Sequence, residues 1–438
     1  MIRRSPEAIG QGEFFDVLKG CIEEHGLEVS RLERLSRYYR GEHDFWSGEG
    51  GSLGAWPGRS AEARLVCNYA KFITDMACGY MFGQPLEYRF VRGGDEGVED
   101  AGEVEGAEGG GDGVSGVRGR ASKRSEDRGA SAASDAGPRK RGAAPSRLAA
   151  AQDSFLAALS EAESDTHDAE LGKDLSVFGY AYELVYFHEG RANLAIIDPR
   201  SAFVVYDDTV KCEPIFAVIL RENFVTVYFP DFVHEYARDG EELKAREENL
   251  FEEIPLTQYW NNEEGMGDFE SVLSLIDAYN ILQSDRVNDK QRFVNAILKV
   301  TGAAFETDEF GRLTEDARNL LRSGILQLPE DADATYLTKS LSEAEAEILK
   351  NSISSDIHKF SQIPDFSDKH FAGNQSGVAM RFKLISLEYL CRVKERFFAS
   401  GIKRRVSLFM RALNLVSDRA LEAFEVGVVF NRELPFEN

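Results

Sequence analysis

Between Val272 and Ala296 the apolar positions recur at helical spacing and then stop. Leu275, Ile276, Tyr279 and Leu282 share a face, whereas Ser284 to Arg292 is nearly all polar, with no Gly or Pro to break the run. The pattern predicts one helix, roughly 37 Å long at about 1.5 Å per residue. One end packs in a layer and the other lines a wet space. A second signature follows. Ser342-Glu-Ala-Glu345 has the form of a capping box, and Leu341, Ala344, Ile348, Ile353, Ile357 and Phe360 trace an apolar stripe that Pro364 ends. Asp365 to Gly377 is a polar loop without a hydrophobic run. A third helix starts at Gly377 or Val378, with Val378, Phe382, Ile385, Tyr389, Arg392 and Arg396 on or near one face. It is expected to bend or break at Gly401, with helical pattern resuming through Leu415.

Upstream, Leu65 to Phe82 reads as a helix ended by Gly83 and Pro85, and Leu86 to Val91 alternates as a strand. Helices are predicted over Leu148–Ser160 and Thr166–Val177. Strands follow over Tyr180–Phe187, Ala192–Ile197, Phe203–Tyr206, Ile215–Arg221, Phe224–Phe229 and Phe232–Ala237, with turns at Asp198-Pro199, Asp207-Asp208 and Asp239-Gly240. Residues 93–146 are dominated by Gly, Ala, Ser and charged residues and contain no aromatic. They cannot bury enough surface to offset their ordering entropy and are expected to be disordered. A compact insertion over Leu298–Thr338 offers strands at Leu298–Thr301 and Ile325–Leu328 and a short helix at Leu313–Arg322. Near the end, Asp418–Phe424 reads as a helix.

Composition narrows the chemistry. At 438 residues and 43% hydrophobic, the chain can bury a core in two to four structural units. No apolar run approaches the length of a membrane span, about 18 residues. The basic start Met1-Ile-Arg-Arg-Ser-Pro is followed by no apolar segment and does not read as a secretory signal. The five cysteines are scattered, with no C-x-x-C pair, which points to reduced thiols made in a cytoplasm and away from zinc. A net charge of −24 argues against a tight DNA binder and suits either simple solubility or a wall along which phosphates slide. One stretch runs against the trend. Arg381, Lys383, Arg392, Lys394, Arg396, Lys403, Arg404, Arg405 and Arg411 face only Glu388 and Glu395 between Gly377 and Leu413. Pairing with acids of an adjacent helix or subunit is the reading preferred over phosphate contact.

No catalytic constellation emerges. His167 sits between Asp165 and Asp168, but adjacent helix positions do not converge on one ion, so a solvated helix start is expected there. His188, His234, His358 and His370 lack an H-x-x-x-H partner, and no P-loop, G-x-S-x-G or H-E-x-x-H occurs. No catalytic residue, cofactor or metal is expected.

The order of segments resembles the SPP1-type portal proteins of tailed bacteriophages. The matching words include Tyr38-Tyr-Arg-Gly-Glu-His43, Asn68-Tyr-Ala-Lys-Phe-Ile-Thr-Asp75 and Gly79-Tyr-Met-Phe-Gly-Gln-Pro-Leu-Glu-Tyr88. Further along stand Phe178-Gly-Tyr-Ala-Tyr-Glu-Leu-Val-Tyr186, Leu275-Ile-Asp-Ala-Tyr-Asn-Ile-Leu-Gln-Ser-Asp285 and Phe371-Ala-Gly-Asn-Gln-Ser-Gly-Val-Ala379. None is diagnostic alone; their collinear order over residues 38–410 carries the resemblance. It implies an α+β portal fold with an α/β wing, long stem helices, a small α/β clip insertion and a short helical crown. The implied units are 1–92 and 147–270 for the wing, with 93–146 a disordered insert. The first stem helix is 271–297, the clip 298–339 and the second stem helix 340–363. The tunnel loop is 364–377, the long helix to the crown 378–413 and the short crown or C-terminus 414–438. The crown is small for the family, which leaves open whether it contacts packaged DNA.

The resemblance further implies a ring homo-oligomer, a dodecamer in the capsid, at one vertex of the virion and synthesised in the host bacterial cytoplasm. Its partners would be the major capsid and scaffolding proteins, the terminase large subunit, a head completion or adaptor protein, and double-stranded DNA passing non-specifically, with no membrane. Candidate channel residues are Asp365, Ser367, Asp368, Lys369, His370, Asn374 and Gln375 in the tunnel loop. Asp285, Arg286, Asp289, Lys290 and Arg292 are the candidates in the stem. Glu306, Asp308 and Glu309 in the clip are expected to face the motor or adaptor. Two other readings stand beside this one: a non-portal capsid adaptor or scaffold, and a metal-dependent hydrolase in which Asp165, Asp198, Asp207 and Asp208 would have to meet in one cleft.

Overall fold

A computed structural model describes residues 1–7, 14–46, 63–91, 147–237, 243–294, 297–301, 333–337, 343–366, 377–416 and 425–432, with a few positions between 312 and 319. The predicted disorder of 93–146, the strand at 325–328 and the helix at 418–424 lie outside the described residues, as does most of the helix at 313–322.

The larger sheet has six strands in the order β1-β5-β6-β7-β8-β9. Its strands are β1 (Ile2–Arg4), β5 (Ala202–Asp207), β6 (Pro214–Leu220), β7 (Phe224–Tyr228), β8 (Phe232–Ala237) and β9 (Leu243–Glu248). β1 lies parallel to β5, and the other neighbours are antiparallel. Alternation along β5 explains why the sheet is covered on both sides. Phe203 and Val205 join Phe216, Val218, Val225 and Val227 beneath the start of helix α1 (Phe14–Tyr39), where Leu18 and Cys21 are fully buried. Ala202 and Val204 point the other way, into the main core with Ala217 and Ile219.

That main core also takes in a three-stranded sheet, β10-β3-β4, made of β3 (Tyr180–His188), β4 (Arg191–Ile197) and β10 (Leu256–Trp260). Helices α2 (Tyr69–Phe82), α3 (Arg147–Glu161) and α4 (Ser164–Phe178) pack around it, and the C-terminal half of a long helix crosses it. Fully burying one of its aromatic or leucine side chains is worth about 1.5–3 kcal/mol.

Three expectations need correction. Residues 63–68 are extended, and α2 begins only at Tyr69, with the Asn68 side chain accepting from the Lys71 amide. The amides of Leu65 and Cys67 are held instead by side chains of another helix, described below. Second, α7 (Gly377–Val416) is one continuous helix of 40 residues, unbroken at Gly401. The glycine is there because the Tyr259 ring lies against it; a Cβ would meet Tyr259 Cε1 at 2.3 Å. Third, the C-terminal segment carries a strand that packs back on the main core, where the sequence reading gives only a helix at 418–424. β13 (Glu425–Val429) pairs antiparallel with β2 (Glu87–Val91), and Val426 is buried in the main core.

Four further strands escaped the sequence reading. β9 is mostly charged, as an edge strand can be; β1 is three residues long; β10 is short and without clean alternation; and Asp333–Leu337 lies beyond the strand expected at 325–328.

Candidate channel-forming elements

Helix α5 (Leu273–Val294) starts in the main core, with Ile276 and Tyr279 buried. Its polar half does not simply face water. Asn280, Ser284 and Asn288, one turn apart, are all buried and together hold the extended segment 63–67. Asn288 Oδ1 accepts from the Ala63 amide at 2.7 Å and its Nδ2 donates to the Ala63 carbonyl at 3.0 Å. Ser284 Oγ accepts from the Leu65 amide at 2.9 Å, and Asn280 Oδ1 from the Cys67 amide at 2.7 Å. The spacing explains the match: four helical residues rise about 6.0 Å, and two extended residues advance about 6.6 Å. The helix face serves as a strand edge, so alternate backbone groups find partners away from any sheet.

The remaining stem candidates lie elsewhere on α5. Arg286 pairs with Glu347 at 3.0 Å and Lys290 with Glu343 at 2.9 Å, both on α6 (Glu343–Ser361). Asp285 is exposed and Asp289 half-buried. Arg292 belongs to α5, but its side chain is outside the described residues.

The C-terminal end of α6 is locked to α2. Ile357 and Ser361 are buried, and Tyr69 Oη lies 2.9 Å from Ser354 Oγ. The His358 ring sits edge-on to Tyr69 and Phe72. Its Nδ1 donates to the Ile363 carbonyl at 3.0 Å, and its Nε2 faces Asp365 Oδ1 at 4.0 Å. Gln362 takes φ +62°, the left-handed turn that ends the helix. This fixes the base of the predicted tunnel loop. Of its candidates only Asp365 is described, half-exposed; Ser367, Asp368, Lys369, His370, Asn374 and Gln375 lie outside the described residues, as do Glu306, Asp308 and Glu309 of the clip. Between α5 and α6 the strands β11 (Ile297–Thr301) and β12 (Asp333–Leu337) pair antiparallel.

Helix α7 is fixed to α4, β3 and Asp268 by two buried cations on one face, eleven residues apart. Lys394 donates to Asp268 at 2.6 Å and to Ser176 Oγ at 2.8 Å. Arg405, fully buried, forks onto Glu183, lies 2.7 Å from Asp168 Oδ1 and stands over the Tyr259 ring. Glu183 also accepts from Tyr259 Oη and His167 Nε2, each at 2.9 Å. Burial pushes the Glu183 carboxyl up, but Arg405 and His167 more than offset this and hold it at about 2. For Asp168 burial prevails over the pull of Arg405, and its carboxyl lies above the usual range. The guanidinium thus serves Glu183 with directed hydrogen bonds and Asp168 mainly through proximity.

The basic stretch read from the sequence is therefore largely consumed within the chain. Arg411 pairs with Glu252 and Glu253, Arg392 with Glu388, and Arg404 donates to the Ile254 carbonyl. His167 and Asp168 are part of this buried cluster and not a solvated helix start. Lys394 and Arg405 lie among Leu387, Cys391, Phe398 and Ile402 on the core face of α7, a spacing the sequence reading did not pick out. The stripe of Phe382, Ile385 and Tyr389 instead points away from the core.

Among the described residues no three His, Cys, Asp or Glu side chains are placed to hold a metal ion. Asp198 is taken up by Arg200, and Asp207 by the turn at Thr209. No helix among the described residues is long and apolar enough to cross a membrane.

The conspicuous buried polar side chains of this fold hold helices to one another and to the three-stranded sheet. The chain belongs to the family of phage portal proteins, SPP1 Gp6-like, whose sequence model matches residues 18–437. No curated protein matches it. Similar solved chains include one from the neck of an empty GTA particle computed with C6 symmetry, at 13% identity and TM-score 0.36, covering 62% of this chain and 70% of that one. A chain from the virion of a native gene transfer agent particle is 12% identical at TM-score 0.36, covering 58% and 71%. One from the neck of a native GTA particle computed with C12 symmetry is 12% identical at TM-score 0.35, covering 62% and 71%.

Proposed function

We propose that this chain assembles into a ring whose central channel occupies a unique capsid vertex, through which the terminase packages DNA and from which DNA is later ejected. The observation that carries this reading is membership of the portal family over nearly the whole chain. On this reading α5 and α6 are the stem, 298–339 the clip and 364–377 the tunnel loop. Asp365, Ser367, Asp368, Lys369, His370, Asn374 and Gln375 make weak, reversible contacts with sliding DNA. Asp285 and Asp289 carry the acidic character of the stem wall, and an acidic wall repels phosphates and so limits sticking. Arg286 and Lys290 brace the stem pair. Glu306, Asp308 and Glu309 face the terminase large subunit during packaging and the head completion protein afterwards. The wing meets the major capsid and scaffolding proteins. The role is structural, with no catalytic residue.

Negative-stain electron microscopy of the purified full chain, with native mass for subunit number, tests the reading. Rings with a central hole are expected. A strictly monomeric particle, both alone at high concentration and co-expressed with the capsid proteins, would overturn it.

A further inference from the structure

Helices α6 and α7 each turn an apolar stripe away from their own chain. On α6 the stripe is Glu345, Leu349, Asp356 and Phe360, with Leu349 51% and Phe360 57% exposed; Ile353, between them, is half-buried against the chain's own core. On α7 it is Phe382, Ile385, Tyr389, Val393 and Arg396, with Phe382 69% and Tyr389 60% exposed. The core face of α7 is a different one, bearing Leu384, Leu387, Cys391, Lys394 and Phe398. Each exposed stripe is about 21–23 Å long at about 1.5 Å per residue. A groove of about 900 Å³ runs beside the α7 stripe, walled by Tyr80, Phe382, Ile385, Arg396 and Phe430. Ion pairs of Arg432 with Glu388 and Glu395 hold its floor.

The charges set in the two stripes are opposite. α6 brings Glu345 and Asp356; α7 brings Arg392 and Arg396. Asp356 and Arg396 have no partner among the described residues. We propose that the α6 stripe of one copy docks on the α7 stripe and groove of a second copy, head to tail. Pairing either stripe with itself would concentrate like charge, whereas cross-pairing neutralises it. Two different surfaces meeting make a heterologous contact, the kind that repeats around an axis until it closes. The inference rests on the ring reading and names the surfaces that build the ring.

The test uses two variants of the full chain, Leu349→Asp and Tyr389→Asp, with thermal unfolding as a check on folding. Both positions are exposed in the single chain, so the fold is expected to persist. Native mass should find wild-type rings, each variant alone monomeric, and a heterodimer only in the equimolar mixture, where each variant supplies one intact stripe. The milder pair Arg396→Glu and Asp356→Arg should each reduce ring yield, and both reversals in one chain should restore it. Undiminished rings from both aspartate variants, homodimers of either one alone, or no restoration in the double reversal would overturn the docking pair while leaving the ring standing. A wild type that never forms rings, even with the capsid proteins, would remove the ring reading and this inference together.

Discussion

The Arg405 cluster offers the sharpest energetic test. Replacing Arg405 by Met keeps the length of the side chain and removes the charge. It leaves Glu183, fully buried, with only His167 and Tyr259, and leaves Asp168, 3% exposed, with no cation in contact. Breaking one side of a buried ion pair costs about 3–5 kcal/mol. The pH dependence gives a second view. Glu183 is lowered from 4.5 to about 2, so its contribution is complete above about pH 4.5 and disappears as pH falls through about 2. That shift corresponds to about 3 kcal/mol. Asp168 is raised and works the other way: its burial cost is relieved as it protonates, which offsets part of the acid loss. Urea unfolding of the full chain, followed by tryptophan fluorescence from pH 3 to 7, should show Arg405→Met destabilised most at neutral pH and converging toward wild type in acid. Arg405→Met combined with Glu183→Met should recover part of the loss, since an apolar pair has no charge to strand. A single variant within 1 kcal/mol of wild type at pH 7, or a double variant worse than the single, would refute the assignment of this cluster as the anchor of α7.

Removing the polar clasp on α5 should act locally. Ser284→Ala and Asn288→Ala are each expected to cost about 1 kcal/mol, with hydrogen exchange of the Leu65 amide accelerated in the first and that of Ala63 in the second; unchanged exchange at both would mean the clasp is incidental. Gly401→Ala pushes a methyl to 2.3 Å from the Tyr259 ring and should destabilise by about 1–3 kcal/mol, read as a lowered melting temperature. A neutral or stabilising result would show that Tyr259 moves aside freely.

The strands β3 to β8 were legible almost to the residue, because each is bounded by turn residues and has one or both faces buried. Helices α5 and α6 were legible from their periodic apolar positions and their end signals. What the sequence concealed depended on neighbours. Asn280, Ser284 and Asn288 look like any solvated helix face until the segment 63–67 is laid beside them. Gly401 reads as a breaker because nothing in the sequence places Tyr259 against it. The basic run on α7 could be assigned to DNA, to another subunit or to its own wing, and only the positions of Asp268, Glu183 and Glu253 decide. The tunnel-loop and clip candidates remain proposals, carried by the family's pattern.

The two grips on α5 answer differently to ionic strength. The clasp of Asn280, Ser284 and Asn288 is neutral, and added salt has no charge there to screen. The bridges from Arg286 and Lys290 to α6 are exposed ion pairs, and Lys290 with Glu343 is the more exposed of the two and the farther from the wing. At physiological ionic strength the screening length is about 8 Å, and it shortens further as salt rises. Rising salt therefore loosens the helical pair from its distal end inward. Asn288, between Arg286 and Lys290 in sequence, keeps α5 on the segment 63–67 whatever the salt does to its pairing with α6.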